Sequence, residues 1–598
     1  MAAKIFTSKA QKVIFIVVTT LAVLVLIPVL FINSYLKPVL SQKLKEAVAQ
    51  GTDSLYHITF SDAELHVFKG NAALHNIVLK PDTTVYHKLK RLGKAPNNLY
   101  ELRVKRLSIN NIRALKFYFS KKLEVGQITL TAPQINISKH LDKQTDTTAK
   151  DKRTLYKKIS KNIKFIRVNH INLNDAHFTY TNYTGKKIAT SSLKHMALKA
   201  TNLLIDSTTQ ADTSRTLFCK DITARLNNFN WQTANGLYKY KVRSVIFSTQ
   251  ASRITTTGLV MQPLAPAAFF AKSHDDRFAF NLDTVVLNNF DYANYHQKGS
   301  ISVSNLVIGK GVFEIYSNPN GLLKTTDRLV TFPHWVIRNF KTDLKVDTLR
   351  IKNINVAYKQ YHKQSQKTGS VRFDHATGRL LNITNNKEAL KTNNICKAFI
   401  SSSFMGVGKF DLSFTFNLND ADYKYNYKGT LGPMDMRAAN PAVMPLGMVQ
   451  ITSGRVKSLN FNISSTQKTS VGQVAFLYND LKVNVLRKDD EKGYSKKSLI
   501  SLLANSFVLK SNNPDEEGKS PRLAMVKFIR PANFPFFQTV WLTVLDGIKA
   551  CALGKAVEKD ADMDEKKKAK QKAAEKAKEN KEKEDKKFKE KLKKRKQN

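Results

Sequence analysis

Cysteine is scarce in this chain. Cys219, Cys396 and Cys551 are the only three in 598 residues. They lie far apart, are odd in number and lack metal-ligand spacing, which argues against a disulfide framework and a cysteine zinc site. The motifs of common catalytic sites are also missing: there is no H-E-x-x-H, G-x-S-x-G, C-x-x-C or Rossmann glycine fingerprint. Gly518-Lys519-Ser520 ends like a phosphate-binding loop, but Asn513 stands where the first glycine belongs, and Asp515, Glu516 and Glu517 would repel phosphate. His57, His66 and His75 are evenly spaced, yet no periodicity puts their rings on one face, and His274-Asp275-Asp276 has no nucleophile beside it. The expectation is a protein that is not an enzyme and takes no metal and no cofactor.

Acidic side chains are few: 47 against 97 Lys and Arg, a formal net charge of +50. Such a field draws anionic partners, either lipid headgroups or nucleic acid. The same count also arises if Lys simply covers solvated strand faces, since the basic residues are spread along the chain. A nucleic-acid partner is disfavoured, because the aromatics sit in alternating apolar register and are not interleaved with Lys as a stacking platform.

Uncharged runs long enough to span a bilayer occur once. Val13 to Ile32 reads VIFIVVTTLAVLVLIPVLFI; at ~1.5 Å per residue it reaches about the ~30 Å of a hydrocarbon core. It exceeds a typical signal-peptide core, and no small-x-small site follows, so a retained single-pass anchor is expected. Lys4, Lys9 and Lys12 precede it and Lys37, Lys43 and Lys45 follow, a nearly balanced count to which the amino terminus adds a little weight toward a cytosolic 1–12 segment.

What fills the rest is a strand pattern. Residues 123–137, LEVGQITLTAPQINI, place Val125, Ile128, Leu130, Ile135 and Ile137 at a spacing repeated in 168–180 by Val168, Ile171, Leu173, Phe178 and Tyr180. It recurs in 346–358 with Val346, Leu349, Ile351, Val356 and Tyr358, and more loosely in 282–292 with Leu282, Val285, Leu287 and Tyr292. Period 2 within each copy means strand. The gaps would turn later apolar residues to the wrong face unless a bulge or turn intervenes at Pro133, Asn174-Asp175 or Lys352-Asn353. Alternation continues in 100–109, 237–248, 300–307, 407–418, 423–427, 449–463 and 471–486, while helix is expected at 151–163, 386–393, 437–447 and 498–508. A one-sided sheet of this size must close on itself, pack on a second layer or curl into a trough that holds a ligand.

Near the C-terminus, residues 534–553 place Phe537, Val540, Trp541, Val544, Leu545, Ile548 and Ala552 near one helical face. Asp546 and Lys549 interrupt the run, so it is expected to cap the sheet or to lie on a membrane surface through Trp541, Val544, Leu545 and Ile548. From Lys555 onward the chain is almost wholly charged and reads as a solvated tail.

An N-terminal anchor, repeated V-x-x-I-x-L-x-x-x-x-I-x-I strands and late Gly-containing strands at Gly447–Gly454 and Val471–Asp480 together resemble the AsmA-like proteins of Gram-negative envelopes, including their domain-of-unknown-function relatives, over roughly residues 1–550. The long Lys-rich tail departs from that pattern. The resemblance implies a mainly β fold: an elongated, twisted, mostly antiparallel repeating β-groove with an N-terminal transmembrane helix and a helical, charged C-terminus. It divides the chain into a cytosolic 1–12, an anchor 13–32, a groove 33–500, a strand and helix cap 501–554 and a tail 555–598. It further implies an inner-membrane protein, its bulk in the periplasm, that binds or conducts phospholipid acyl chains between envelope membranes. A non-enzymatic outer-membrane assembly factor binding other envelope proteins is the alternative. The groove would be lined by Val125, Ile128, Leu130, Ile135, Ile137, Val168, Ile171, Leu173, Phe178, Val285, Leu287, Val346, Leu349, Ile351 and Val356; an ordinary filled core would use the same residues.

Overall fold

The computed structural model describes residues 36–553 except 67–68, 142–155, 157–162, 185–187, 210–211, 213, 234, 318–326, 490–492 and 497–508. The apolar run 13–32, the expected helix at 498–508, the expected helix at 151–163 apart from Tyr156 and Ile163, and the charged tail 555–598 lie outside the described residues.

Alternating sequences become strands, and the strands join one large mixed sheet of twenty-four. It begins with α1 (Leu36–Gly51), β1 (Tyr56–Thr59), β2 (Asp62–His66) and β3 (Asn71–Pro81). Helix α2 (Thr83–Arg91) starts where the Asp82 carboxylate accepts the Thr84 and Val85 amides at 2.8 and 3.0 Å, and ends in Lys88, Lys90 and Arg91, which suit the negative end of its dipole.

Two blocks of the same design follow. In the first, β4 (Asn98–Ile112) leads through α3 (Ala114–Ser120) into a strand broken into β5 (Lys122–Thr131) and β6 (Gln134–Lys139), then into long β7 (Phe165–Asn182) and β8 (Ala189–Ile205). Three plainer strands intervene: β9 (Asp221–Gln232), β10 (Tyr238–Ser248) and β11 (Arg253–Pro263). The second block has β12 (Arg277–Phe290), α4 (Tyr292–Lys298), β13 (Ile301–Ile308), β14 (Gly311–Tyr316), then β15 (Leu344–His362) and β16 (Lys367–Thr384). Val125 corresponds to Val303, Leu130 to Ile308, Val168 to Val346 and Leu173 to Ile351, a constant offset along the chain. In both, the half-strands pair antiparallel with the strand before and parallel with the long strand after. The other paired strands are antiparallel.

The interruptions lie where the alternation failed. Ala132 has φ 46° between β5 and β6. The β7–β8 register shifts between Leu173 and Phe178 around Asp175 at φ 55°, and the β15–β16 register shifts from Ile351 onward around Asn353 at φ 56°. Each bulge restores the inward face, so Leu173, Ala176 and Phe178 are all buried.

The sheet then continues through β17 (Ile395–Phe404), β18 (Gly408–Asn417), β19 (Tyr425–Leu431), β20 (Met434–Asp435), β21 (Val449–Ser465), β22 (Thr469–Asp489) and β23 (Gly493–Lys496), and closes with β24 (Leu523–Ile529), which pairs with β22. The helices expected at 386–393 and 437–447 form at Lys387–Thr392 and Asn440–Gly447.

Packing divides the apolar side chains unevenly. One large core runs from β1 to β9 under Leu44 and Val48 of α1 and Tyr86 of α2. A second joins the strands from β17 to β24 with Phe332 and the C-terminal helix α5 (Phe536–Leu553). Between them, among the described residues, the buried side chains form small clusters around Phe269 and around Phe290, Val303 and Val346. Arg530 ties the second core to the segment entering β15. Its Nη2 donates to Asp327 at 2.8 and 2.9 Å, its Nη1 to the carbonyls of Ala532 and Phe534, and its guanidinium lies 5.3 Å over the Phe332 ring.

Candidate functional site

Cross-strand register turns the short repeat into a single stripe. Leu74, Leu107, Leu130 and Leu173 pair directly in succession from β3 to β7. Leu198 and Ala224 carry the row on to Phe247, Ile254, Leu287, Leu306, Leu349 and Leu380 on β10, β11, β12, β13, β15 and β16. Ala398, Phe414, Tyr427 and Ile463 complete it through β21. At ~4.8 Å per strand this unbroken apolar row measures roughly 70 Å. A parallel row, Val285–Ile308–Ile351, runs beside its centre.

Exposure along the stripe is not uniform. Leu74, Leu107, Leu130 and Leu173 are buried at one end, and Ala398, Phe414, Tyr427 and Ile463 at the other. From Phe247 to Leu380 the side chains are half-buried. The difference follows from packing: Phe247 lies against the first core and Leu380 against the second, whereas Ile254, Leu287 and Leu306 between them lie against the small cluster of Phe290, Val303 and Val346.

The residues singled out from sequence therefore fall into two groups. Val125, Ile128, Leu130, Ile135, Ile137, Val168, Ile171, Leu173 and Phe178 belong to the first packed core, none more than 9% exposed, and Val346 is buried in a small cluster. Val285, Leu287, Leu349, Ile351 and Val356 are half-buried on the central strands. Phe247, Ile254, Leu306 and Leu380 share that stretch but escaped notice. Their strands lack the full repeat, and only pairing reveals that they stand in line.

The opposite face of β15–β22 is chemically different. Arg350, Arg379, Phe399, Ser413, Lys428, Asn462 and Gln473 are paired in sequence across it. With Lys352 and Asp411 they border a hollow of about 1110 Å³. Arg379 lies 5.3 Å over Phe399, and Asp411 is 3.5 Å from Lys409. Because side chains alternate across a strand, this cationic hollow and the apolar row are on different faces and do not make one binding site.

The C-terminal helix lies against the sheet. Its most buried residues are Phe536, Thr539, Thr543, Gly547, Cys551 and Ala552. The Thr539 and Thr543 hydroxyls donate to the carbonyls of Pro535 and Thr539 at 3.0 and 2.8 Å, so neither is buried unpaired. Gly547 meets Val474 so closely that a Cβ there would lie 2.4 Å from it. Trp541, Val544, Leu545 and Ile548 flank this seam, half-buried. By length and composition the helix is apolar enough to cross a membrane.

Polar chemistry elsewhere is dispersed. His57 pairs with Asp82 and His75 with Glu64, each at 2.8 Å, so these two of the evenly spaced histidines have separate partners. Burial pushes the Cys219 and Cys396 thiols up to about 12, which leaves them protonated and unreactive at neutral pH. His195 and Asp175 meet at 2.8 Å on the β7–β8 bulge, and that hydrogen bond holds the Asp175 carboxyl below its ordinary range. The chain matches no known family profile and no curated protein.

Proposed function

We propose that this chain is an AsmA-like envelope protein, tethered in the inner membrane by residues 13–32 with its bulk in the periplasm, whose sheet binds or conducts phospholipid acyl chains through an elongated groove. The observation that carries the reading is the apolar row, continuous across the sheet yet only half-buried between β10 and β16. An acyl chain needs no polar recognition there. Each CH2 transferred from water contributes about 0.8 kcal/mol, so a lane of leucine and isoleucine suffices. The reading narrows the contact region from the whole repeat to the central strands, because side chains already packed in the end cores have little surface left to offer.

The test is lipid analysis of gently extracted full-length protein. Leu287→Asp, Leu306→Asp and Leu349→Asp should each strip co-purifying phospholipid, while Thr348→Asp, on the opposite face of β15, should leave it in place. Wild-type protein free of lipid after mild extraction would sink the proposal.

The alternative, an assembly factor for other envelope proteins, draws on one different feature. Edge strand β24 holds Leu523, Met525 and Ile529 at 53%, 78% and 70% exposure. A partner strand could add to that edge. Met525→Lys with Ile529→Lys would then remove bound proteins without altering bound lipid, and unchanged partners would exclude the edge as the docking site.

A further inference from the structure

The two blocks differ at one place in a way their shared architecture does not require. In the first, the β7–β8 bulge brings together Asp175, His177 and His195. His195 Nδ1 is 2.8 Å and His177 Nε2 3.6 Å from Asp175 Oδ1, and the two imidazoles meet edge to face at 5.1 Å. One ligand atom from each residue lies within 4.8 Å of the others. Asp175 and His195 both take the left-handed conformation, at φ 55° and 57°, which costs a non-glycine residue of order 1 kcal/mol.

The second block makes the same bend with the same strain and different chemistry. Asn353 and His375 occupy the equivalent left-handed positions at φ 56° and 55°. His375 Nδ1 is 2.9 Å from Asn353 Oδ1, and the His375 amide donates to Asn355 Oδ1 at 2.9 Å. The bulge therefore needs a side-chain oxygen facing one imidazole, which an amide supplies. It needs neither a carboxylate nor a second imidazole. Those additions turn a neutral pair into an anionic oxygen with two ring nitrogens. His177 Nε2 is also buried without a hydrogen-bond partner, an arrangement that leaves a donor or acceptor unused at a cost.

We infer that Asp175, His177 and His195 form a site for a divalent transition metal of the zinc type. Two imidazoles and one carboxylate are a ligand set that zinc accepts, with bonds of about 2.0–2.2 Å and a fourth position left to water. In the metal-free arrangement His195 Nδ1 carries the hydrogen donated to Asp175. The cation takes that hydrogen's place, the proton moves to the outward-facing Nε2, and His177 Nε2 gains the partner it lacks. Asp175 and His195 are about half exposed, so the fourth position opens to solvent. A metal there would clamp β7 to β8 on the polar face of the first block, and the second block has no counterpart.

The experiment titrates detergent-solubilised full-length protein with ZnCl2 by calorimetry and with CoCl2 by visible absorption. One equivalent is expected to bind, with the cobalt band of a low-coordinate nitrogen and oxygen site. Asp175→Asn combined with His177→Asn gives the first block the second block's side chains, so the bend is retained, and affinity should fall at least about tenfold. His375→Ala should bind as the wild type does. If the double variant fails to fold by circular dichroism, His195→Gln gives the same readout. Absence of saturable binding in the wild type, or binding equally tight in folded double variant or His195→Gln protein, would overturn the assignment.

Discussion

At the scale of single residues, burial decides charge state. His334 is wholly buried, stacked on Phe416, and its Nε2 donates to the Tyr423 carbonyl oxygen at 2.9 Å. The other ring nitrogen has no partner. Desolvation pushes its pKa down to about 4 from the ordinary 6.5. The unfolded chain therefore takes up a proton between pH 6.5 and 4 that the folded chain refuses. Stability contributed by the neutral ring is intact above 6.5 and is lost progressively as pH falls to about 4, by roughly 3 kcal/mol in full. Urea unfolding at pH 7 and pH 4.5 should show that loss, and His334→Phe should reduce the difference between the two by roughly 2–3 kcal/mol. An unchanged difference would mean that the ring is protonated in the native fold.

At the scale of elements, the strands were legible and the helix seam was not. Pro133, Asn174-Asp175 and Lys352-Asn353 broke the alternation visibly, because a bulge needs one extra residue and the inward face resumes one position late. For α5 the sequence pointed to Phe537, Val540, Trp541, Val544, Leu545, Ile548 and Ala552. Phe537 is instead 55% exposed, and the innermost line includes Thr539, Thr543, Gly547 and Cys551. Apolarity ranks side chains by how much they gain from burial, whereas a helix pressed closely onto strands selects them by how little room they take. Gly547→Val should therefore destabilise the fold by about 1–3 kcal/mol through overpacking on Val474. Adding Val474→Ala should recover part of that loss, giving less than additive costs in denaturant titrations. Strict additivity would show that the two positions are not in contact in solution.

For the whole molecule, the sequence disclosed a one-sided apolar sheet but not where that surface is covered. Ile128 and Leu349 stand in matching repeats and read alike. One is buried beneath a full layer and the other half-open, because coverage is supplied by segments distant in sequence, among them α1 and α2 for the first and none of equal extent for the second. The uneven coverage should be visible in amide hydrogen exchange, since segments with sparse packing open locally at lower free energy than packed cores. Strands β3–β8 and β18–β22 should exchange slowly. Strands β11–β14 should exchange faster, although each is hydrogen-bonded on both sides. If acyl chains occupy the central row, added phospholipid should slow exchange there selectively and leave the end cores unchanged, because a ligand protects the segment whose exposed surface it covers. Equal protection from β3 to β22 in lipid-free protein would mean that the centre is packed as tightly as the ends, and the lane for a lipid chain would be gone.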